Sequence, residues 1–154
     1  MPIVSKPLLI SLLLLLSGCT SVAGSTPAND AQQPTTLAPC LALPNCVSSS
    51  TGNSGQAIAP LSLGADGDAT WARLRVLLET SSEFTIVKAT ETYLHAEART
   101  RVFRFVDDVE FLLQEEGIAV RSASRVGFSD FGTNRRRVES LRRQLATESA
   151  PAAN

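Results

Sequence analysis

Histidine and cysteine, the usual ligands of zinc, are scarce in this sequence. It contains one histidine and three cysteines, and no two cysteines are spaced as Cys-x-x-Cys. Zinc sites are usually built from closely spaced cysteine and histidine residues. We therefore expect neither a metal ion nor another cofactor.

An excess of positive charge is missing as well. The chain has 14 Lys and Arg residues against 15 Asp and Glu residues. Lys6 is the only charged residue before Cys19, so the remainder carries 13 basic and 15 acidic groups. A nucleic-acid-binding domain generally has a pronounced basic patch and a high isoelectric point. We therefore exclude nucleic acid as a partner.

The charges are nevertheless distributed unevenly along the chain. Residues 66–116 contain six basic and eleven acidic side chains, whereas residues 121–143 contain seven basic and two acidic ones. All but Lys88 of the basic residues after Cys19 are arginines, whose planar guanidinium suits paired hydrogen bonds to carboxylates. We expect the acidic segment and the arginine-rich segment to meet in the fold.

Long hydrophobic runs are also absent. The apolar run at residues 8–16 is interrupted by Ser11 and is shorter than the roughly 20 residues of a membrane-spanning helix. Lys6 precedes this run, and Ser17 and Gly18 follow it. This order is typical of a secretory signal peptide, here at residues 1–18.

Cys19 stands directly after these small residues. The arrangement resembles the lipobox of bacterial lipoproteins, which implies cleavage before Cys19, a thioether-linked diacylglycerol and an N-terminal acyl group such as palmitate. The alternative is an ordinary signal peptide with an incidental cysteine. Thr20 rather than Asp follows, which under the sorting rule of Gram-negative lipoproteins implies a lipid anchor at the periplasmic face of the outer membrane. Residues 19–38 would then be the lipidated cysteine and a flexible tether.

Cys40 and Cys46 are the two remaining cysteines, and Pro44 lies between them. Disulfides persist in the oxidising compartments outside the cytoplasm, so we expect these two residues to be bridged. The closed loop is short, and the chain-entropy model gives it only about 2 kcal/mol of stabilisation. A reactive thiol and half of a metal site are the alternatives.

Hydrophobic periodicity predicts one α+β domain at residues 39–146. A helical stripe marks residues 68–81, and Thr133 or Asn134 is expected to cap a second helix that ends near Ala146. Alternation predicts four antiparallel strands, at residues 83–89, 92–99, 102–113 and 118–126, with residues 57–61 as a candidate fifth strand. We expect both helices to pack on one face of the sheet, and a frayed tail at residues 147–154.

The last two predicted strands form a hairpin whose register follows from apolar pairing. A turn at residues 114–117 places Leu113 opposite Ile118. The same register places Glu110 opposite Arg121, and it brings Asp108 near Arg125. The face that carries Phe103, Phe105 and Phe111 is expected to be the core side.

Asp107 is the anomaly of this hairpin, because strict alternation places it on the aromatic face opposite Ser124. A buried carboxylate without a partner is costly. Either a β-bulge turns Asp107 outward, or an arginine of the last helix reaches it. We favour an arginine from residues 135–137.

Three blocks of the sequence resemble a known family. They are Pro-Asn-Cys-Val-Ser-Ser at residues 44–49, the acidic strand at residues 105–111 and the arginine-rich block at residues 121–139. Together they resemble the family catalogued as domain of unknown function 1499, over about residues 40–145. The resemblance implies envelope-associated bacterial proteins, some of them lipidated, with plastid relatives. It implies no activity and no catalytic residues.

Two functional hypotheses follow. The first, which we favour, is a non-enzymatic binding or structural module whose arginine-rich edge binds an anionic group or an envelope protein. The second is a hydrolase-like enzyme, with or without a metal ion, that uses Asp107, Asp108 or Glu110.

The glycine-flanked loop at residues 127–132, which precedes a helix N-terminus, is a candidate anion site. The candidate polar network or anion site comprises Asp107, Asp108, Glu110, Arg121, Ser124, Arg125, Asp130, Asn134, Arg135, Arg137 and Glu139.

The environment of Asp107 distinguishes these hypotheses. A binding module is expected to have fully paired carboxylates and no deep pocket beside them. An enzyme is expected to have an unpaired carboxylate that lines a cleft.

Overall fold

The computed structural model describes residues 33–100 and 102–148. In that part the chain forms β1 (Cys46–Ser48), α1 (Gly67–Thr80), β2 (Phe84–Ala89), β3 (Tyr93–Arg99), β4 (Val106–Gln114), β5 (Gly117–Ser124) and α2 (Thr133–Glu148). The expected signal peptide, Cys19, the tether up to residue 32 and the tail from residue 149 lie outside the described residues. No described helix is long and apolar enough to cross a membrane.

The strands form one antiparallel sheet in the order β1-β5-β4-β3-β2. Both helices pack on one face of it, as the sequence predicts. Leu74 and Leu78 of α1 and Val138 of α2 are fully buried against Val109 and Phe111 of β4. The chain is therefore an α+β protein whose two helices cover one face of the sheet.

The fifth strand is not where the sequence placed it. It is Cys46–Ser48, which pairs with β5 so that Cys46 lies opposite Ala123. The predicted fifth strand at residues 57–61 is wrong, because Ala57 and Leu61 make only isolated bridges to the sheet. Pro60, which has no N–H group to donate, interrupts any ladder there.

The start of β4 also differs from the prediction, since the strand begins at Val106 rather than at residue 102. Arg104 has a φ of 53°, a left-handed conformation that ends extended structure. Thr100 accepts a hydrogen bond from the backbone of Phe105 at 2.9 Å, which closes a turn. Phe103 and Phe105 are consequently 74% and 51% exposed, so their assignment to the core was wrong.

The opposite face of the sheet carries a smaller apolar cluster. Leu37, from the chain before β1, packs there against Tyr93, Leu112 and Ala119. Cys40, which comes shortly after Leu37 in the chain, forms the expected disulfide with Cys46, and the two sulfur atoms are 2.01 Å apart. The bridge thus joins this covering segment to the first residue of β1.

Candidate functional site

The hairpin of β4 and β5 has the register that apolar pairing predicts. Leu113 lies opposite Ile118, Glu110 opposite Arg121, and Asp107 opposite Ser124. The pairing runs without a shift through Asp107 and Asp108, so a β-bulge does not turn Asp107 outward. Asp107 therefore remains on the covered face of the sheet.

Arg137 of α2 is the arginine that reaches Asp107. Its Nη2 donates to Asp107 Oδ2 at 2.8 Å, and both side chains are 2% exposed. Arg137 Nε donates to Glu83 Oε1 at 2.7 Å, while Nη1 donates to Asn134 Oδ1 at 2.6 Å and to Ser122 Oγ at 3.2 Å. The prediction of a buried arginine–carboxylate pair is confirmed. Among the described residues, none donates a hydrogen bond to the second oxygen of Asp107, Oδ1.

Asn134 completes this buried network, so the prediction that it could cap α2 is wrong. It is fully buried, and its Nδ2 donates to the carbonyl of Asn45 and to Ser124 Oγ, each at 3.0 Å. Ser122 Oγ donates to Asn134 Oδ1 at 2.6 Å. The carboxamide thus joins α2 to β5 and to the residue before β1.

The side chain of Asp130, three residues before the first residue of α2, caps the helix start instead. Its Oδ1 accepts from the backbone of Gly132 at 2.9 Å, and its Oδ2 accepts from the backbone of Asn134 at 2.8 Å. A carboxylate at this position is favourable because the N-terminal N–H groups and the helix dipole attract negative charge. Asp130 thereby fills the place that an external anion would take at the loop of residues 127–132.

A second polar cluster lies on the opposite face of the sheet. Arg121 Nη1 donates to Glu110 Oε2 at 2.7 Å, and the hydroxyl of Tyr93 donates to Glu110 Oε1 at 2.8 Å. Burial, reinforced by the hydrogen bond to Glu110, raises the pKa of Tyr93 well above its usual value. Glu110 is thus held between a cation and a neutral phenol.

Asp108 lies beside the pair of Arg121 and Glu110, and three nitrogen atoms contact its carboxylate, two from Arg125 and one from His95. Arg125 donates to its two oxygens at 2.7 and 2.9 Å, and His95 Nε2 lies 2.7 Å from Oδ1. These hydrogen bonds, that of Arg125 foremost, lower the pKa of Asp108 despite the opposing effect of burial. Arg125 also contacts Glu97 at 2.9 Å, and both carboxylates raise its pKa, chiefly through the bond to Asp108.

The other predicted network members belong to neither cluster. Arg135 donates to the carbonyl of Gly55 at 3.1 Å, and Glu139 pairs with Arg142 at 3.1 Å within α2. The structure therefore divides the predicted network into a buried cluster around Arg137, an outer cluster around Arg125 and two peripheral contacts.

A cleft of about 1040 Å³ opens beside the buried cluster. Its polar lining includes Asp107, Arg137, Ser124 and Glu83, which we call the polar floor, and also Arg99, Arg104 and Asp130. The apolar lining comes from the loops that follow β3 and β5: Val102, Phe103, Phe105, Val126 and Phe131. The rings of Phe103 and Phe105 stack with centroids 5.6 Å apart.

The sequence interpretation missed this cleft. Its signal was Phe131, a large apolar residue in a short loop between Gly127 and Gly132. Paired carboxylates without a pocket were expected of a binding module, and an unpaired carboxylate in a cleft was expected of an enzyme. Asp107 meets one condition of each hypothesis, because it is paired with Arg137 and also lines the cleft. Among the described residues, no group of three or more His, Cys, Asp or Glu side chains is placed to hold a metal ion.

Comparison with known proteins gives one match. No curated protein and no solved structure matched the chain. The family described as protein of unknown function (DUF1499) matches over residues 36–145. The match includes every strand and α1, and it extends into the last turns of α2. The chain therefore belongs to this family, as the three sequence blocks predict.

Proposed function

We propose that the protein is a non-enzymatic binding module, anchored in the cell envelope through Cys19, whose cleft holds an amphipathic small molecule. The observation that carries this proposal is the cleft itself, with an apolar, largely aromatic lining above a polar floor. The arginine-rich edge supports ligand binding less well, because Arg121, Arg125 and Arg137 already pair with carboxylates of the chain.

The lining has the composition of a small-molecule site. Such sites generally have volumes of about 300–1,000 Å³ and combine hydrophobic and aromatic walls with a few polar groups that fix orientation. The cleft has about 1040 Å³, which is just above that range. It has room for a ligand with a long apolar body.

The polar floor favours a ligand whose other end donates hydrogen bonds. The single guanidinium of Arg137 is shared by two carboxylates, Asp107 and Glu83, so these three groups together carry a net charge of −1, while Asp130, Arg99 and Arg104 belong to the rest of the lining. Asp107 Oδ1 accepts no hydrogen bond from the described residues, and it is not one of the fully enclosed atoms that lack a partner. Water can therefore reach it, and an ammonium or hydroxyl group in the cleft would replace that water as the donor.

A titration series tests this function. Dodecylamine, dodecanol and dodecanoate share one apolar chain and differ in the polar end. We expect the amine and the alcohol to bind more tightly than the carboxylate, since the floor repels a second anion. Isothermal titration calorimetry below the aggregation threshold of each compound measures the three affinities.

Two exposed phenylalanines provide a matched pair of variants. Phe103 lines the cleft, whereas Phe128 does not, and their exposed fractions are 74% and 73%. Phe103→Ser is expected to weaken binding about tenfold, because it removes much of the apolar area that a Phe offers, and Phe128→Ser is expected to leave it unchanged. No binding of any compound, or equal effects of the two substitutions, would contradict the proposal.

The enzyme alternative now concerns Asp107 alone, because this carboxylate lines the cleft while Asp108 and Glu110 lie on the other face of the sheet. A hydrolase that uses Asp107 predicts turnover of an amphipathic ester and loss of that turnover in Asp107→Asn. The binding proposal predicts an unchanged ligand after prolonged incubation, which mass spectrometry measures.

A further inference from the structure

Exposed apolar side chains are concentrated in two loops of this protein. Nine large apolar residues of the described chain are exposed. Six of them lie at residues 102–105 and 125–132, which we call the phenylalanine loops: Val102, Phe103, Phe105, Val126, Phe128 and Phe131. Because Ala98 pairs with Asp107 and Asp107 with Ser124, the two loops leave the sheet at the same end. They therefore form one apolar surface.

The cleft does not account for all of this surface. Phe128 is 73% exposed and does not line the cleft, and Phe131 and Val102 line it but remain 87% and 81% exposed. Their outward apolar area faces water. Contiguous exposed patches of this kind mark sites of contact with proteins or membranes.

We propose that the phenylalanine loops are a membrane-contact surface, whose partner is a phospholipid bilayer. Aromatic side chains are favoured at the boundary between headgroups and acyl chains. A soluble domain binds there by burying a limited apolar surface, with basic residues close to the headgroups. Two loop tips with four phenylalanines, rather than a flat hydrophobic face, have the shape that such shallow insertion requires.

Charge at the loop tips agrees with this partner. Arg104 stands between Phe103 and Phe105, it is exposed, and its side chain forms no hydrogen bond or ion pair within the described residues. A long basic side chain extends from an apolar surface toward lipid phosphates, and such a charge strengthens attachment to an anionic membrane. Arg104 is therefore placed to contact headgroups while the rings beside it enter the apolar region.

The expected lipid anchor makes this contact geometrically accessible. Residues 20–32 span at most about 45 Å when fully extended, and a domain of about 100 residues has a radius of gyration of about 13 Å. A tether of this length would allow the loops to reach the membrane in which Cys19 is expected to be anchored. The proposal concerns the loops alone and does not depend on a ligand in the cleft.

Vesicle flotation tests the surface. The protein without lipid, residues 20–154, contains every described residue and is incubated with vesicles of phosphatidylcholine and of phosphatidylcholine with phosphatidylglycerol. We expect binding to both, stronger to the anionic vesicles. Phe128→Ser is expected to lower the partition coefficient about tenfold, because burial of a Phe side chain contributes strongly to transfer from water. Arg104→Gln is expected to reduce the preference for anionic vesicles.

Leu41→Ser is the matched control, because Leu41 is 71% exposed and lies outside the phenylalanine loops. It is expected to leave flotation unchanged, and thermal unfolding verifies that each variant is folded. Phe128→Ser also separates this proposal from the proposed function, since Phe128 does not line the cleft and amphiphile affinity is expected to persist. Absence of flotation, or equal flotation of wild type and Phe128→Ser, would overturn the membrane surface. Self-association that Phe128→Ser abolishes, without vesicle binding, would overturn it in favour of contact between two copies.

Discussion

Removal of the Asp107 carboxylate is the most informative perturbation of this fold. In Asp107→Ala, Arg137 Nη2 loses its acceptor while the guanidinium remains buried, with 2% of its side chain exposed. Loss of one partner of a buried ion pair generally costs about 3–5 kcal/mol. Glu83, Ser122 and Asn134 continue to accept hydrogen bonds from Arg137. We therefore expect a loss near the lower end, about 3 kcal/mol.

Thermal and urea unfolding of the residues 20–154 protein measure this loss. For a domain of about 110 residues, 1 kcal/mol shifts the melting temperature by roughly 4 °C, so we expect a decrease of about 12 °C for Asp107→Ala. Arg137→Met is expected to cost more, about 5 kcal/mol, because it leaves the buried carboxylate of Asp107 without its cation and removes one of the two donors to Asn134 Oδ1. Arg143→Ala, at an exposed position of α2, is the control and is expected to shift the midpoint little.

The double variant makes the test specific to the pair. Asp107→Ala combined with Arg137→Met is expected to lose clearly less stability than the sum of the single losses, because neither charge is then left unpaired. A normal or raised midpoint for Asp107→Ala would refute the structural interpretation. It would identify Asp107 as a residue kept for function at the expense of stability.

Three further predictions concern other parts of the chain. Thiol labelling of the unreduced, unfolded protein is expected to find neither Cys40 nor Cys46, and quantitative labelling of both would contradict the bridge. The double variant Cys40→Ser, Cys46→Ser is expected to lower the free energy of unfolding by about 2 kcal/mol. The pKa of Asp108 is lowered below its ordinary value of 3.8, so its stabilising effect is present at neutral pH and is lost as the pH falls through the lower folded-state value. Unfolding midpoints measured down to about pH 2 are therefore expected to fall less steeply for Asp108→Asn than for the wild type, and parallel curves would count against the Arg125 contact. Cys19→Ser is expected to release the protein from the membrane fraction or to leave uncleaved precursor, and unchanged detergent-phase partitioning would disprove lipidation.

The central hairpin could be predicted because its physical constraints are local. Apolar residues on one face fix the register of Leu113 with Ile118, and that register alone brings Glu110 to Arg121. The partner of Asp107 was predictable because a carboxylate on an apolar face requires a cation, and the last helix supplies three arginines in succession. Arg137 is the one whose position on α2 faces the sheet.

The cleft could not be predicted from the same rules. Alternation continues formally through residues 102–105, so Phe103 and Phe105 share the pattern of the core residue Phe111. The strand nevertheless starts only at Val106, because Arg104 adopts a left-handed conformation. Periodicity describes a side chain's face within a strand and carries no information on where that strand begins.

Asn134 and β1 were missed for a different reason, namely dependence on distant partners. Asparagine near a helix start is ordinarily a cap, but here the carbonyl of Asn45 accepts from Asn134 across 89 positions of sequence. β1 has only three residues, too few for alternation to be visible. Its partner strand, β5, lies far along the chain.

The position of β1 in the sheet determines the order in which the protein can fold. Strands β2 to β5 are joined in sequence and pair as neighbours, whereas β1 pairs with β5 so that Cys46 meets Ala123. Contacts between residues close in sequence form first, because long loops are costly to close. β1 leaves the ribosome before the rest of the sheet, and yet we expect it to be the last strand to join the sheet. Until it does, the edge of β5 is open to pairing with another chain, so a polypeptide that begins after Ser48 is expected to expose a permanent site for aggregation.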